Sequence, residues 1–132
     1  MATHPYIHFR GNCAEALTAY AAIFGGTDLQ MMRYGDEPGG TPNPGARIMH
    51  GQLTLGNGTL MASDFPEGAP SDPQKAMSVM QTGPDVATAR AWFDKLAEGG
   101  QVIHPFIPTF WSPGFGMVTD RFGTHWILSA EA

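Results

Sequence analysis

A chain of 132 residues with a formal net charge of -5 and one cysteine is long enough to bury an ordinary single-domain core without a metal or disulfide to staple it. The acidic balance, with 7 Lys and Arg against 12 Asp and Glu, excludes a partner held by phosphate neutralisation, so no nucleic-acid partner is expected. No membrane partner is expected either: no apolar run approaches the roughly 20 residues of a spanning helix, and no signal-like leader precedes the first strand. Cys13 stands alone, which excludes an internal disulfide and suits a cytoplasmic setting.

Thr3 to Arg10 alternates as a strand, with Ile7 and Phe9 on one face and His4, Tyr6 and His8 on the other. Asn12 reads as the N-cap of a helix over Cys13 to Phe24, whose Ala16, Leu17, Tyr20, Ile23 and Phe24 fall at helical spacing before Gly25-Gly26 ends it. Cys13, with no basic or His neighbour beside it, reads as a packed, unreactive thiol. A strand over Asp28 to Tyr34 then leads into a Pro/Gly-rich loop, Gly35 to Gly45, where Asp36-Glu37 is an adjacent, solvated pair.

Arg47 to Leu55 reads as a strand with Met49, Gly51, Leu53 and Leu55 on one face and Ile48, His50, Gln52 and Thr54 on the other. His50 beside Gln52 supplies donors and acceptors on a single face. Asn57-Gly58 signals a hairpin into Thr59 to Ser63, and residues 65–74 form a Pro-rich linker. Beyond it come a strand over Ala76 to Gln81, a helix opened by Gly83-Pro84-Asp85 and closed by Gly99-Gly100, and strands over Gln101 to Ile107, Gly114 to Thr119 and Thr124 to Leu128.

The order β-α-β-β-β thus occurs twice. The residues repeat too: IFGG at Ile23 to Gly26 answers LAEGG at Leu96 to Gly100, and GNGTLMAS at Gly56 to Ser63 answers RFGTHWILS at Arg121 to Ser129. The fold class expected is α+β, one domain over residues 1–132 made of modules 1–64 and 75–132, with curled mixed sheets enclosing a shared cavity. His50 is the leading candidate for a catalytic or binding role. Gln52, Tyr6, His8 and Tyr34 are expected to line the ligand site, and Phe110 and Trp111, on a Pro-flanked loop, to face a cavity mouth or a partner subunit. His125 joins the ligand-binding candidates, although alternation leaves open which of His125 and Trp126 points inward. His4, near the terminus, and His104, before Pro105, read as surface or structural residues.

The stretches PYIHFRGNCAEALTAYAAIFGG, RYGDEPGG, ARIMHGQLTLGNGTLMASD and FWSPGFGMVTDRFGTHWILS resemble the PhnB-like branch of the vicinal oxygen chelate superfamily, which includes glyoxalase I, bleomycin-resistance proteins and extradiol dioxygenases. The resemblance implies two βαβββ modules, a homodimer, and a divalent metal held by His and Glu. Residue by residue, His4 stands near the first ligand position, nothing in Lys75 to Met77 can ligate, and Ala62 and Ile127 stand where carboxylates are expected. No conventional metal site is therefore expected. Members of the branch are also described as demethylubiquinone methyltransferases, but no G-x-G-x-x-G opens a strand-helix unit here. Two function classes follow: a module that binds a small, partly apolar organic molecule between aromatic walls, or, as the alternative, a divalent-metal-dependent lyase, isomerase or dioxygenase.

Overall fold

The computed structural model describes all residues, Met1–Ala132, as two compact units, Met1–Pro73 and Gln74–Ala132. The first unit runs β1 (Tyr6–Phe9), α1 (Cys13–Phe24), β2 (Thr27–Arg33), β3 (Ile48–Leu55) and β4 (Gly58–Asp64). Its sheet has the order β1-β4-β3-β2, with β1 parallel to β4 and the other neighbours antiparallel. The second unit repeats this with β5 (Val79–Gly83), α2 (Val86–Ala97), β6 (Gln101–Ile107), β7 (Phe115–Thr119) and β8 (His125–Ala130), in the order β5-β8-β7-β6. Two tandem βαβββ modules with open mixed sheets are what the internal repeat implied.

Each sheet buries one face under its helix. Cys13, Ala16, Leu17 and Tyr20 of α1 are fully buried, together with Ile48, Leu53, Leu60 and Ala62 from the sheet. Each large aliphatic or aromatic chain removed from water this way stabilises the unit by ~1.5–3 kcal/mol. The approach of α1 depends on Gly51, where an added Cβ would stand 2.5 Å from Leu17 Cδ1. In the second unit Ala89, Phe93 and Leu96 pack with Val118, Trp126 and Leu128, and Gly116 plays the part of Gly51 beneath Phe93.

Three expectations are corrected. Asn12 makes no side-chain capping bond to α1. The end of the helix is closed instead by Asp64, whose Oδ1 accepts from the backbone N–H groups of Gly11 at 2.8 Å and Cys13 at 3.0 Å, while its Oδ2 accepts from Ile48 N–H at 2.8 Å. In β3, Arg33 pairs with Ile48 and Met32 with His50, so Met49 is an extra residue in a bulge. The bulge turns Ile48 from the polar face into the core, where it is fully buried, and leaves His50, Gln52 and Thr54 on the open face. Finally, β5 begins at Val79 rather than Ala76, because Ala76 sits at φ +59°, left-handed backbone that a strand cannot contain.

Candidate functional site

The open face of the first sheet carries the polar chemistry. Tyr6 and His8 alternate on β1 with the buried Ile7 and Phe9, and the parallel register sets Tyr6 beside Met61 and His8 beside Ser63 of β4. One strand further, Gln52 pairs with Met61, and beyond it Gln30 pairs with Gln52 and Met32 with His50. Strand parity alone therefore brings four predicted side chains, Tyr6, His8, His50 and Gln52, to one surface. It also adds Ser63, Gln30 and Met32, which the sequence reading did not single out.

These groups form a connected array. Tyr6 Oη lies 2.9 Å from His50 Nδ1, and His50 Nε2 lies 3.2 Å from Gln52 Oε1. His8 Nδ1 lies 3.1 Å from the buried Ser63 Oγ. The Tyr6 ring sits between the two imidazoles, 5.2 Å from His8 and 5.6 Å from His50, and Phe65 extends the aromatic row 5.3 Å beyond His8. Tyr6 retains 42% of its accessible surface, so part of this residue is open to solvent.

Tyr34 closes one end of this surface, donating its hydroxyl to the Asp64 backbone carbonyl at 2.9 Å. Burial raises its phenol pKa above the usual value, the negative charge of Asp64 adds to that, and Arg47 opposes it. Arg47 itself donates to the Phe65 carbonyl at 3.0 Å. The loop between β2 and β3 is stitched at its base, Asp36 accepting from Arg33 N–H and Glu37 from Gly35 N–H, so both carboxylates are turn acceptors. Beneath this end of the sheet lies Cys13, whose thiol is pushed up to about 12 by burial and then by the Asp64 charge. Such a thiol is not a nucleophile.

The remaining predicted residues belong to the second unit. Phe110 is 98% exposed and Trp111 57% exposed; they meet edge to face at 4.8 Å, and Trp111 meets Phe115 at 5.3 Å. His125 lies opposite the buried Trp126, which settles the alternation, and both its ring nitrogens are engaged: Nδ1 lies 3.0 Å from Thr119 Oγ1, and Nε2 donates to the Gln74 carbonyl at 3.2 Å. His104 donates to the Pro105 carbonyl. Asp120, at the turn between β7 and β8, accepts from Phe122 and Thr124 N–H and from Trp126 Nε1.

A divalent metal does not fit these donors. No three His, Cys, Asp or Glu side chains come together to hold one. Ala62 faces α1, and the positions flanking Tyr6 and Gln52 on the open face hold Met61, a weak ligand for a hard cation. Asp64 has both carboxylate oxygens committed to backbone donors.

Residues 2–129 match the family described as 3-demethylubiquinone-9 3-methyltransferase. The chain belongs to this family. It is 30% identical to Protein YjdN of Escherichia coli strain K12, over 98% of this chain and 95% of that one. The crystal structure of protein PA1353 from Pseudomonas aeruginosa superposes with a TM-score of 0.89 at 41% identity, covering 99% of this chain and 98% of that one. A PhnB protein from Bacillus cereus shares the fold at a TM-score of 0.73 and 24% identity, covering 99% and 100% of the two chains. A glyoxylase/bleomycin resistance/dioxygenase domain from Frankia sp. EAN1pec shares it at a TM-score of 0.70 and 11% identity, over 100% of this chain and 98% of that one. This PhnB-like chain has no helix long and apolar enough to cross a membrane.

Proposed function

We propose that this PhnB-like protein binds a small, partly apolar organic molecule on the open face of its first sheet, without a conventional metal. The observation that carries the proposal is the unbroken Tyr6–His50–Gln52 chain beside the Tyr6, His8 and Phe65 rings. Rings at these spacings offer apolar area to a flat ligand, and the placed polar atoms fix its orientation. Tyr34 bounds the same surface. The family description names methyl transfer. The first helix offers no free N-terminus for an anionic cofactor group, because the Asp64 carboxylate already occupies it.

Chemical-shift mapping with a set of neutral bicyclic aromatics tests the proposal. Perturbations should centre on Tyr6, His8, His50 and Gln52, and His50→Ala should weaken binding by about tenfold, the usual effect of removing one hydrogen-bonding group from a site. Shifts confined to other residues would overturn it. Stoichiometric zinc, nickel, manganese or iron in chelator-free protein, lost on His50→Ala, would establish the metal-dependent alternative.

The same reading includes a homodimer in the cytoplasm. Val102, Ile103 and Ile107 of β6, last in its sheet, are about half exposed, and Phe110 and Trp111 on the loop that follows are exposed too, apolar side chains suited to a second copy. Light scattering should give twice the monomer mass, and Trp111→Glu should halve it. The unreactive Cys13 is compatible with a reducing compartment.

A further inference from the structure

The hydrogen-bond chain has a direction, and the direction selects the ligand. Gln52 presents its carbonyl oxygen, Oε1, to His50 Nε2, and a carbonyl oxygen only accepts. His50 Nε2 must therefore carry the ring proton. In the neutral imidazole the other nitrogen, Nδ1, then holds a lone pair and accepts. The group 2.9 Å from Nδ1 is the Tyr6 hydroxyl, which must donate its one proton there. What Tyr6 Oη has left to offer is lone pairs.

We infer that Tyr6 presents a hydrogen-bond acceptor to the ligand, so that the site selects a flat molecule bearing a hydroxyl donor, a phenol or an enol, over its ethers, carbonyls and carboxylates. The inference rests on the proposal that this face binds a small molecule and adds the chemical class. A carboxylate or carbonyl placed at Tyr6 would set lone pair against lone pair. An ether would leave the Tyr6 oxygen unmatched. A phenolic or enolic O–H completes the chain, its proton on Tyr6 Oη, that of Tyr6 on His50, and that of His50 on Gln52. Bonds aligned head to tail in this way polarise one another. The exposed Tyr6 ring, flanked by His8 at 5.2 Å and His50 at 5.6 Å, supplies the apolar surface for the ligand body.

Two measurements on the full chain test this. The first needs no ligand: side-chain nitrogen-15 spectra of neutral His50 should show the Nε2–H tautomer, and Gln52→Met, which removes the carbonyl, should shift the ring toward a mixture of tautomers. The second compares 2-naphthol, 2-methoxynaphthalene and 2-naphthoate by calorimetry and shift mapping. The naphthol should bind at least about tenfold more tightly than the other two. Tyr6→Phe should abolish that preference while leaving the methyl ether's affinity within about twofold. An Nδ1–H tautomer, or equal affinities for naphthol and ether, would overturn the donor selection while leaving the binding face intact. Failure of all three probes to perturb Tyr6, His8 or His50 would remove the binding face itself, and the selection with it.

Discussion

The two units share strand order, helix placement and a glycine beneath each helix, yet their open faces differ in kind. Across the first sheet one row runs Tyr6, Met61, Gln52, Gln30. The corresponding row across the second runs Met80, Ile127, Met117, His104. The helix-facing sides are both packed, mainly hydrophobic surfaces. The open sides have diverged, one into a connected array of Tyr6, His50 and Gln52, the other into Met80, Ile127 and Met117 with His104 at one end and His125 tied to Thr119 and Gln74. The repeat thus fixes the scaffold twice and the chemistry once.

Each unit also holds one buried carboxylate that accepts three hydrogen bonds, but at different places. Asp64 fastens β4 to the start of α1 and to β3. Asp120 fastens the β7–β8 turn to the Trp126 indole. Deleting either leaves several buried N–H groups unpaired, so Asp64→Ala and Asp120→Ala should each cost about 3 kcal/mol or more, the largest effects expected here. Hydrogen exchange distinguishes them. Asp64→Ala should lose protection in α1 and β3, and Asp120→Ala in β7 and β8; loss spread evenly over both units would mean that they do not unfold separately.

Next in size is the glycine pair. A Cβ at Gly116 would stand 2.8 Å from Phe93 and 3.0 Å from the Phe106 Cα, whereas at Gly51 the nearest atom is the end of the Leu17 side chain. Backbone gives way less readily than a leucine methyl. Gly116→Ala should therefore cost ~2–3 kcal/mol and Gly51→Ala ~1–2 kcal/mol, read from denaturant midpoints.

What was legible in the sequence follows the same division. Period-two alternation in β1 and β3 put Tyr6, His8, His50 and Gln52 on one face, because parity is local. Helix α1 was bounded at Cys13 and Phe24 by its spacing and by Gly25, which takes φ +66° at the helix end. Ile48 was misplaced because a bulge at Met49 is a property of the pairing with β2 rather than of β3 alone. Asp64 was missed for a related reason: the donors it satisfies lie 16, 51 and 53 residues away, and nothing adjacent to it marks it as a cap.

A further effect, confined to alkaline pH, separates the units. Cys13 has no counterpart in the second unit, and its thiol is raised from 9.0 to about 12, chiefly by burial. A group raised in the folded state favours folding fully below its unfolded value, and that contribution is lost as pH rises through the folded one. Stability should fall between pH 9 and about 12, by up to ~1.4 kcal/mol per pH unit from this residue. Cys13→Ala should flatten the alkaline limb of a Tm-against-pH curve measured on both proteins. The thiol should also resist Ellman's reagent until the first unit opens.

The smallest effect is the most discriminating for the helix ends. In α2, Asp85 accepts the Thr88 N–H at 2.7 Å, while Asn12, in the same position before α1, makes no such bond because Asp64 has taken over the task. Asn12→Ala should then change stability by no more than ~0.5 kcal/mol, and Asp85→Ala by a measurably larger amount. The pH dependence separates a true cap from a general loss of surface charge. The Thr88 backbone bond holds the Asp85 carboxyl below its ordinary 3.8, so its contribution is present above that value and disappears as pH falls through the lower, folded one. The difference between Asp85→Ala and the parent protein should accordingly close in strong acid, whereas Asn12→Ala should track the parent at every pH. If Asn12→Ala instead proved as costly as Asp85→Ala, the two helices would be capped alike, and the assignment of the α1 terminus to Asp64 would fall.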